Sequence, residues 1–218
     1  MITYVTTSCG RLDLLERSIN SFRQYYEADD YIIIEDSGDP EVFERLKKLF
    51  PDFTLLFNEK NQGLIRSLDT AYSRVKTKYI FHSQDDWEFY EPWFVSESAE
   101  ILKHDHKILQ VWLFTIEDHP LKPGVVDLGS CQYQIVGDNL RDPEHPWYGY
   151  SLMPGLRRLS DYKRIGSFMN YWREGDYPAL TEWRIGMKYK QLGYKVAFLG
   201  DYCRNIGENR TNPGGEKK

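Results

Sequence analysis

The chain has 218 residues, 41% of them hydrophobic and 15% aromatic, a composition that belongs to a folded globular protein and excludes a disordered one. At about 100–200 residues per domain that length suits one well-cored domain. A net charge of −5 argues against a nucleic-acid binder steered by phosphate attraction, and no apolar run approaches the roughly 20 residues needed to cross a bilayer. No signal-peptide pattern opens the chain. Cys9, Cys131 and Cys203 are an odd, widely spaced set that forms neither a zinc pattern nor a disulfide framework. A cytoplasmic protein with reduced thiols is the expectation.

Residues 2–7 read as a first strand ending in the hydroxyls of Thr6 and Thr7, with Gly10 beyond. From Arg11 the apolar positions shift to helical spacing, with Leu12, Leu15, Ile19 and Phe22 on one face. Residues 31–34 form a second strand, apolar throughout as befits a strand covered on both faces, and it ends in Glu35 and Asp36. A helix over 41–50 stops at Pro51, a third strand covers 53–57, and a loop over 58–63 leads to a helix marked by Leu64, Leu68, Ala71, Tyr72 and Val75. Tyr79-Ile80-Phe81 is a fourth strand, followed by the adjacent acids Asp85 and Asp86, with Glu88 two positions on. Strand and helix therefore alternate through residues 1–90, with crossovers long enough for parallel pairing, which predicts an α/β, Rossmann-like half sheet.

Beyond Glu91 the alternation loosens. The pattern predicts a helix near 93–104, an apolar run over 108–115, a strand over 132–136 and a short strand over 150–152. A helix over 161–168 capped by Ser160, a helix over 179–191 and a last strand over 194–199 follow, and then a polar, mobile tail.

Parallel strands bring both acid pairs, with Thr6 and Thr7, to one sheet edge, where open α/β sheets bind ligands. Adjacent carboxylates repel each other and call for a cation, so Mg²⁺ or Mn²⁺ holding a diphosphate is the chemistry expected at Asp85 and Asp86. Taken singly, each acid pair reads equally as a turn or a helix N-cap.

The chain resembles GT-A-fold glycosyltransferases, close to the family 2 of inverting nucleotide-sugar-dependent enzymes. The resemblance rests on Thr-Ser-Cys-Gly-Arg after the first strand and Ile-Ile-Glu-Asp-Ser-Gly-Asp after the second. It rests further on Asn-Gln-Gly-Leu-Ile-Arg-Ser-Leu before the third helix, and on Gln84-Asp85-Asp86, similar to a DxD motif with Gln84 in place of its first acid. It implies one GT-A domain over 1–218, with a nucleotide-sugar-binding half (1–90), an acceptor-binding and catalytic half (91–218) and a mobile tail from about 205.

The implied roles carry over position by position. Thr6, Thr7 and Arg11 belong to the opening that cradles the nucleoside, and Glu35 or Asp36 meets the imide of uracil or thymine, with UDP the foremost donor. Asn61 and Gly63 lie beside the nucleotide. Asp86 ligates Mn²⁺ or Mg²⁺, and Asp85 contacts the ribose or the metal's water shell. Arg66 either meets the donor or is solvated surface. Thr181-Glu182-Trp183-Arg184, running on to Gly193, resembles the Glu-Asp motif whose acid deprotonates the acceptor hydroxyl, so Glu182 is the implied general base with inversion at the sugar. Its other reading is a first-turn acid on a helix dipole, and Glu174 and Asp176 are weaker substitutes. Asn205 stands where the family carries a metal-binding histidine.

Trp147, Tyr150, Arg157 and Arg158 read as an acceptor wall with diphosphate contacts or, alternatively, as core packing and solvated charge. Two other classes remain open. A nucleotidyltransferase would show a Gly-rich basic loop after the first strand, only faintly present at 6–11, and a binding module without turnover would share the fold.

Overall fold

The computed structural model describes residues 1–115, 120–139, 142 and 144–207. The first half alternates as expected: β1 (Ile2–Ser8), α1 (Leu12–Tyr25), β2 (Asp30–Glu35), α2 (Pro40–Leu49), β3 (Thr54–Phe57), α3 (Leu64–Tyr72) and β4 (Tyr79–Gln84). Then come β5 (Trp87–Phe89), α4 (Phe94–His104), β6 (Ile108–Trp112), β7 (Val126–Asp127), β8 (Gln132–Ile135) and β9 (Gly155–Arg158). The described chain ends through α5 (Leu159–Ile165), a 3-10 turn (Phe168–Tyr171), α6 (Pro178–Gln191), β10 (Lys195–Phe198) and β11 (Cys203–Asn205).

One sheet of nine strands runs β3-β2-β1-β4-β9-β6-β10-β8-β7. β3, β2, β1 and β4 are mutually parallel, and β10 is parallel to β6, while β9 is antiparallel to both its neighbours. Strands from both halves of the chain thus share the sheet. Successive residues point to opposite faces, so Tyr4, Ile33 and Phe81 join the core under α1, α2 and α4, while Val5, Ile32, Ile34 and Ile80 join the core under α3, α5 and α6. Phe22 centres the first core, its ring 4.4 Å from Tyr4, 4.8 Å from Phe81 and 5.6 Å from Phe89. α2 starts where Asp39 accepts from the Glu41 and Val42 amides at 2.8 and 3.4 Å with Pro40 in the first turn.

Three differences from the sequence reading matter to the site. The strand expected over 150–152 is instead β9, just beyond Pro154, which has no N–H for a ladder. Gly155 permits this, because a Cβ there would collide with the Val111 carbonyl oxygen. The tail expected to be loose from about 205 begins as β11, which pairs antiparallel with β5 through Asn205↔Trp87; residues beyond 207 lie outside those described. Arg157 and Arg158, expected on diphosphate or in solvent, are both buried in β9. Arg158 donates to the carbonyls of Leu102, Ile108 and Asp105 and to Asp161, and so fastens the end of α4 to the sheet.

Candidate active site

The register Ser8↔Glu35 and Thr7↔Gln84 places the carboxyl ends of β1, β2 and β4 side by side. Both acid pairs therefore meet at one edge. Glu35 is fully buried, and its Oε1 accepts from the amides of Gly10 and Ser37 at 2.9 Å each. Its Oε2 is buried with no hydrogen-bond partner among the described residues. Asp36 shapes the next loop: Oδ1 accepts from Asn58 Nδ2 at 2.7 Å and the Gln62 amide at 2.8 Å, and Oδ2 from the Gly63 amide at 2.9 Å. Of the two acids expected to read a base, Asp36 is committed to the loop and only Glu35 retains a spare oxygen.

Arg11, expected at the nucleotide, lies on the second acid pair. Its Nε is 3.0 Å from Asp85 Oδ2, its Nη2 contacts Asp85 Oδ1, and Nη2 also reaches Asp86 Oδ2 at 3.2 Å. Burial pushes the Asp85 carboxyl up to about 6, against the opposing pull of the Arg11 guanidinium. Asp86 has Oδ1 buried and without a hydrogen-bond partner among the described residues. Its carbonyl accepts from the Ile206 amide at 2.8 Å, and Gly207 packs against its side chain so closely that a Cβ would fall 2.7 Å from Asp86 Cβ.

Asn205 is exposed, and its Oδ1 accepts from the Gly207 amide at 2.9 Å, so it forms a turn over the acids. No group of three or more His, Cys, Asp or Glu side chains converges as a metal cage among the described residues. The donor set fits a hard cation held by few protein oxygens, with Asp86 Oδ1 the one left open.

The remaining donor-side residues divide. Thr6 is fully buried in the sheet, whereas Thr7 uses its carbonyl to accept the Asp85 amide at 3.2 Å. Asn61 is exposed, donating to Cys9 Sγ at 3.5 Å and accepting from the Gly63 amide at 3.1 Å. Gly63 takes φ +82° at the head of α3, a conformation side chains resist. Arg66 is exposed on α3. Gln84 accepts from Trp87 Nε1 at 3.3 Å and so positions β5.

The second half supplies a carboxylate to the same edge. β9 pairs with β4 through His82↔Gly155 and Tyr79↔Arg158, so the segment before Gly155 emerges at the end of β4 that carries Asp85. There the Leu152 amide donates to Glu182 Oε2 at 2.9 Å. Glu182 is only partly covered as a residue, yet its carboxyl is enclosed, and burial pushes it up to about 7 against the Leu152 N–H and the charge of Arg157. Asp176, the weaker substitute, is taken by Arg184 (Nη2 to Oδ1 3.0 Å) and by the Arg173 amide, and Glu174 is exposed.

Sequence reasoning passed over two buried polar residues beside the turn at Ser151 and Leu152 that holds Glu182, namely His82 and Gln110. It also passed over Asp69, which accepts from Tyr162, Ser167 and the Phe168 and Met169 amides and ties α3 to the 3-10 turn. The local signal for His82 was a lone histidine in a strand, and no local pattern marks the others. Tyr150 is buried and Trp147 stacks on Trp112 at 4.9 Å, as core packing rather than an open wall.

A nine-stranded, mostly parallel sheet with carboxylates gathered at one edge is the GT-A glycosyltransferase architecture. The chain belongs to glycosyl transferase family 2, whose sequence model matches residues 3–163. Among solved structures it is similar to the mannosyltransferase PcManGT from Pyrobaculum calidifontis, determined with GDP-Man and Mn²⁺. The identity is 15% and the TM-score 0.64, over 97% of this chain and 58% of that one. It is also similar to residues 1–349 of S. aureus TarS in complex with UDP-GlcNAc (10% identity, TM-score 0.66, 100% of this chain and 61% of that one). The chain thus spans about three fifths of the length of those structures. No curated protein matches it by sequence. No helix among the described residues is long and apolar enough to cross a membrane.

Proposed function

We propose that this protein transfers a sugar from a nucleoside-diphosphate sugar, UDP-linked in the first instance, to a hydroxyl of a glycan or other acceptor, with inversion at the sugar. The observation that carries this reading is the Glu182 carboxyl, enclosed and anchored at the edge that also bears Asp85 and Asp86, with a proton affinity raised to about 7. A general base works best with a pKa near the operating pH, and burial has moved this carboxyl there.

In this reading Glu182 Oε2 is held by the Leu152 amide while Oε1 takes the proton of the attacking hydroxyl. Base and leaving group lie on opposite faces of the sugar, which is what inverts the anomeric centre. Asp86 Oδ1 would hold a divalent cation, Mn²⁺ or Mg²⁺, which when bound would supply positive charge to offset that of the leaving diphosphate. Asp85, pinned by Arg11, orients the ribose side of the donor. Glu35 Oε2 is the remaining acceptor for a base imide, Asn61 and the Gly63 turn border the nucleotide, and Arg66 reaches the donor from α3. Asn205 positions the segment over Asp86 rather than completing a metal shell. Residues 1–218 act as one GT-A domain in a cytoplasmic setting, where the three cysteines, none of them in a disulfide, remain reduced, and nucleic acid is not a partner.

The test is release of nucleoside diphosphate from UDP-GlcNAc, UDP-glucose and GDP-mannose with a mixture of glycan acceptors, comparing wild type with Glu182→Gln. Loss of turnover by about 10²–10⁴-fold in Glu182→Gln, with nucleotide binding kept, is the expected result. Full turnover in that variant would remove Glu182 from the chemistry, and pyrophosphate formation from a nucleoside triphosphate and a sugar phosphate would replace the reading with nucleotidyl transfer.

A further inference from the structure

Arg157 has no part in the reaction as described, yet it is a cation with only 4% of its surface exposed. Among the described residues it hydrogen-bonds to backbone: Nη2 donates to the carbonyls of Ser151 at 3.3 Å and Met153 at 3.1 Å. Those carbonyls flank Leu152, whose amide holds Glu182 Oε2 at 2.9 Å. The same turn is held from its other side, where Ser151 Oγ accepts the Met153 amide at 3.0 Å and Gln110 Oε1 accepts the Ser151 amide at 3.4 Å. Arg157 Nε and Nη1 are buried without hydrogen-bond partners among the described residues.

Burying a guanidinium without an anion is expensive, so a nearby carboxylate is what makes it tolerable. The groups around Arg157 narrow the choice. His82 on β4 is buried, and burial followed by the Arg157 charge holds it well below its ordinary range, so it stays neutral. Tyr72 on α3, Tyr150 in the loop and Tyr189 on α6 are all pushed up by burial and remain phenols. Two other acids lie near this cluster: Asp161 is bonded to Arg158 at 2.9 Å, and Asp69, beside Tyr72, is taken by Tyr162, Ser167 and the Phe168 and Met169 amides. Glu182 is left as the carboxylate that Arg157 serves.

We infer that Arg157 is the positioning residue of the catalytic base: it clamps the carbonyls on either side of Leu152 so that the Leu152 amide and its own charge hold Glu182 in place. This rests on the reading of Glu182 as base. It assigns a role to the first arginine of β9 that is separate from donor binding, because the nucleotide edge is built by β1, β2, α3 and β4.

The experiment is the pH–rate profile of nucleoside-diphosphate release from UDP-GlcNAc, UDP-glucose and GDP-mannose with the mixed acceptors, for wild type, Arg157→Gln, Arg157→Lys and Glu182→Gln. Expected for Arg157→Gln is a fall in kcat of about tenfold or more, with the acid limb moved up by about one pH unit and donor KM within about twofold. Arg157→Lys keeps the charge but not the two-carbonyl fork, so its limb stays near wild type while kcat falls several-fold. A lowered kcat with an unmoved limb in Arg157→Gln makes the residue merely structural and overturns the inference, as does wild-type behaviour. If Arg157→Gln does not fold cooperatively, Arg157→Lys decides, and unchanged kcat in it overturns the clamp. Activity surviving in Glu182→Gln refutes the base itself. Inactive Glu182→Gln beside normal Arg157 variants refutes only the positioning role.

Discussion

The guanidinium of Arg11 lies along the Asp85 carboxylate, Nε 3.0 Å from Oδ2, and extends to Asp86 Oδ2 at 3.2 Å. It therefore occupies the position between two adjacent acids at which electrostatics calls for a cation. Any divalent ion that enters at Asp86 competes with this internal positive charge.

Arg11→Met should separate the two tendencies. Asp85 is almost fully buried, so removing its partner is expected to lower stability by about 3 kcal/mol in urea denaturation. At the same time Mn²⁺ binding without nucleotide, followed by titration calorimetry, should tighten on the order of tenfold as the competing charge disappears. Weaker or unchanged Mn²⁺ binding would show that Arg11 does not compete.

Glu182 ties stability to pH. Its proton affinity rises from an ordinary 4.5 to about 7 on folding, so the folded form holds the proton more tightly than the unfolded chain does. Stability from this group is fully present below pH 4.5 and is lost as pH climbs toward about 7. Glu182→Gln cannot ionise and still offers an oxygen to the Leu152 amide. At pH 8 the variant should be more stable than wild type by about 2–3 kcal/mol, and the gain should fade near pH 4, as measured by urea midpoints at each pH. An inactive but stabilised variant is the signature of a strained functional group. A gain independent of pH would argue against an enclosed, ionising Glu182.

Gly207 covers Asp86 with no room for a methyl group, since its Cβ would fall 2.7 Å from Asp86 Cβ. Gly207→Ala should leave the urea midpoint close to wild type, because β11 is a three-residue strand beside the main sheet. The stabilisation produced by UDP with Mn²⁺ should fall several-fold, since the segment over the acids must lift. Undiminished stabilisation would place Gly207 outside the site.

The parallel half of the fold was legible because residues 31–34 of β2 are apolar throughout, β1 and β4 open on β-branched and aromatic residues, and α1 and α3 keep helical spacing. The acid pairs were legible because each follows directly on a strand. β9 was not, although it lies in the middle of the sheet, because Gly-Leu-Arg-Arg looks like a solvated turn. Its arginines are buried only because Ser151, Met153, Leu102 and Ile108 offer carbonyls from distant parts of the chain. The pairing of β5 with β11 was equally hidden, since three residues carry no alternation to read. The sequence offers Glu35 or Asp36 to a base and Arg11 to a nucleotide, but Asp36 and Arg11 meet amides and carboxylates that only the folded loops bring near.

The most direct test of a metal-assisted donor site at this edge is thermal denaturation with UDP, dTDP, GDP and CMP, each with and without Mn²⁺, on wild type and Asp86→Asn. A nucleotide at about 100 times its Kd adds roughly 2.7 kcal/mol, which moves the midpoint of a chain this size by several degrees. The account predicts such a rise with UDP, dependent on Mn²⁺ and absent in Asp86→Asn. No rise with any nucleotide, or an equal rise in Asp86→Asn, would contradict it.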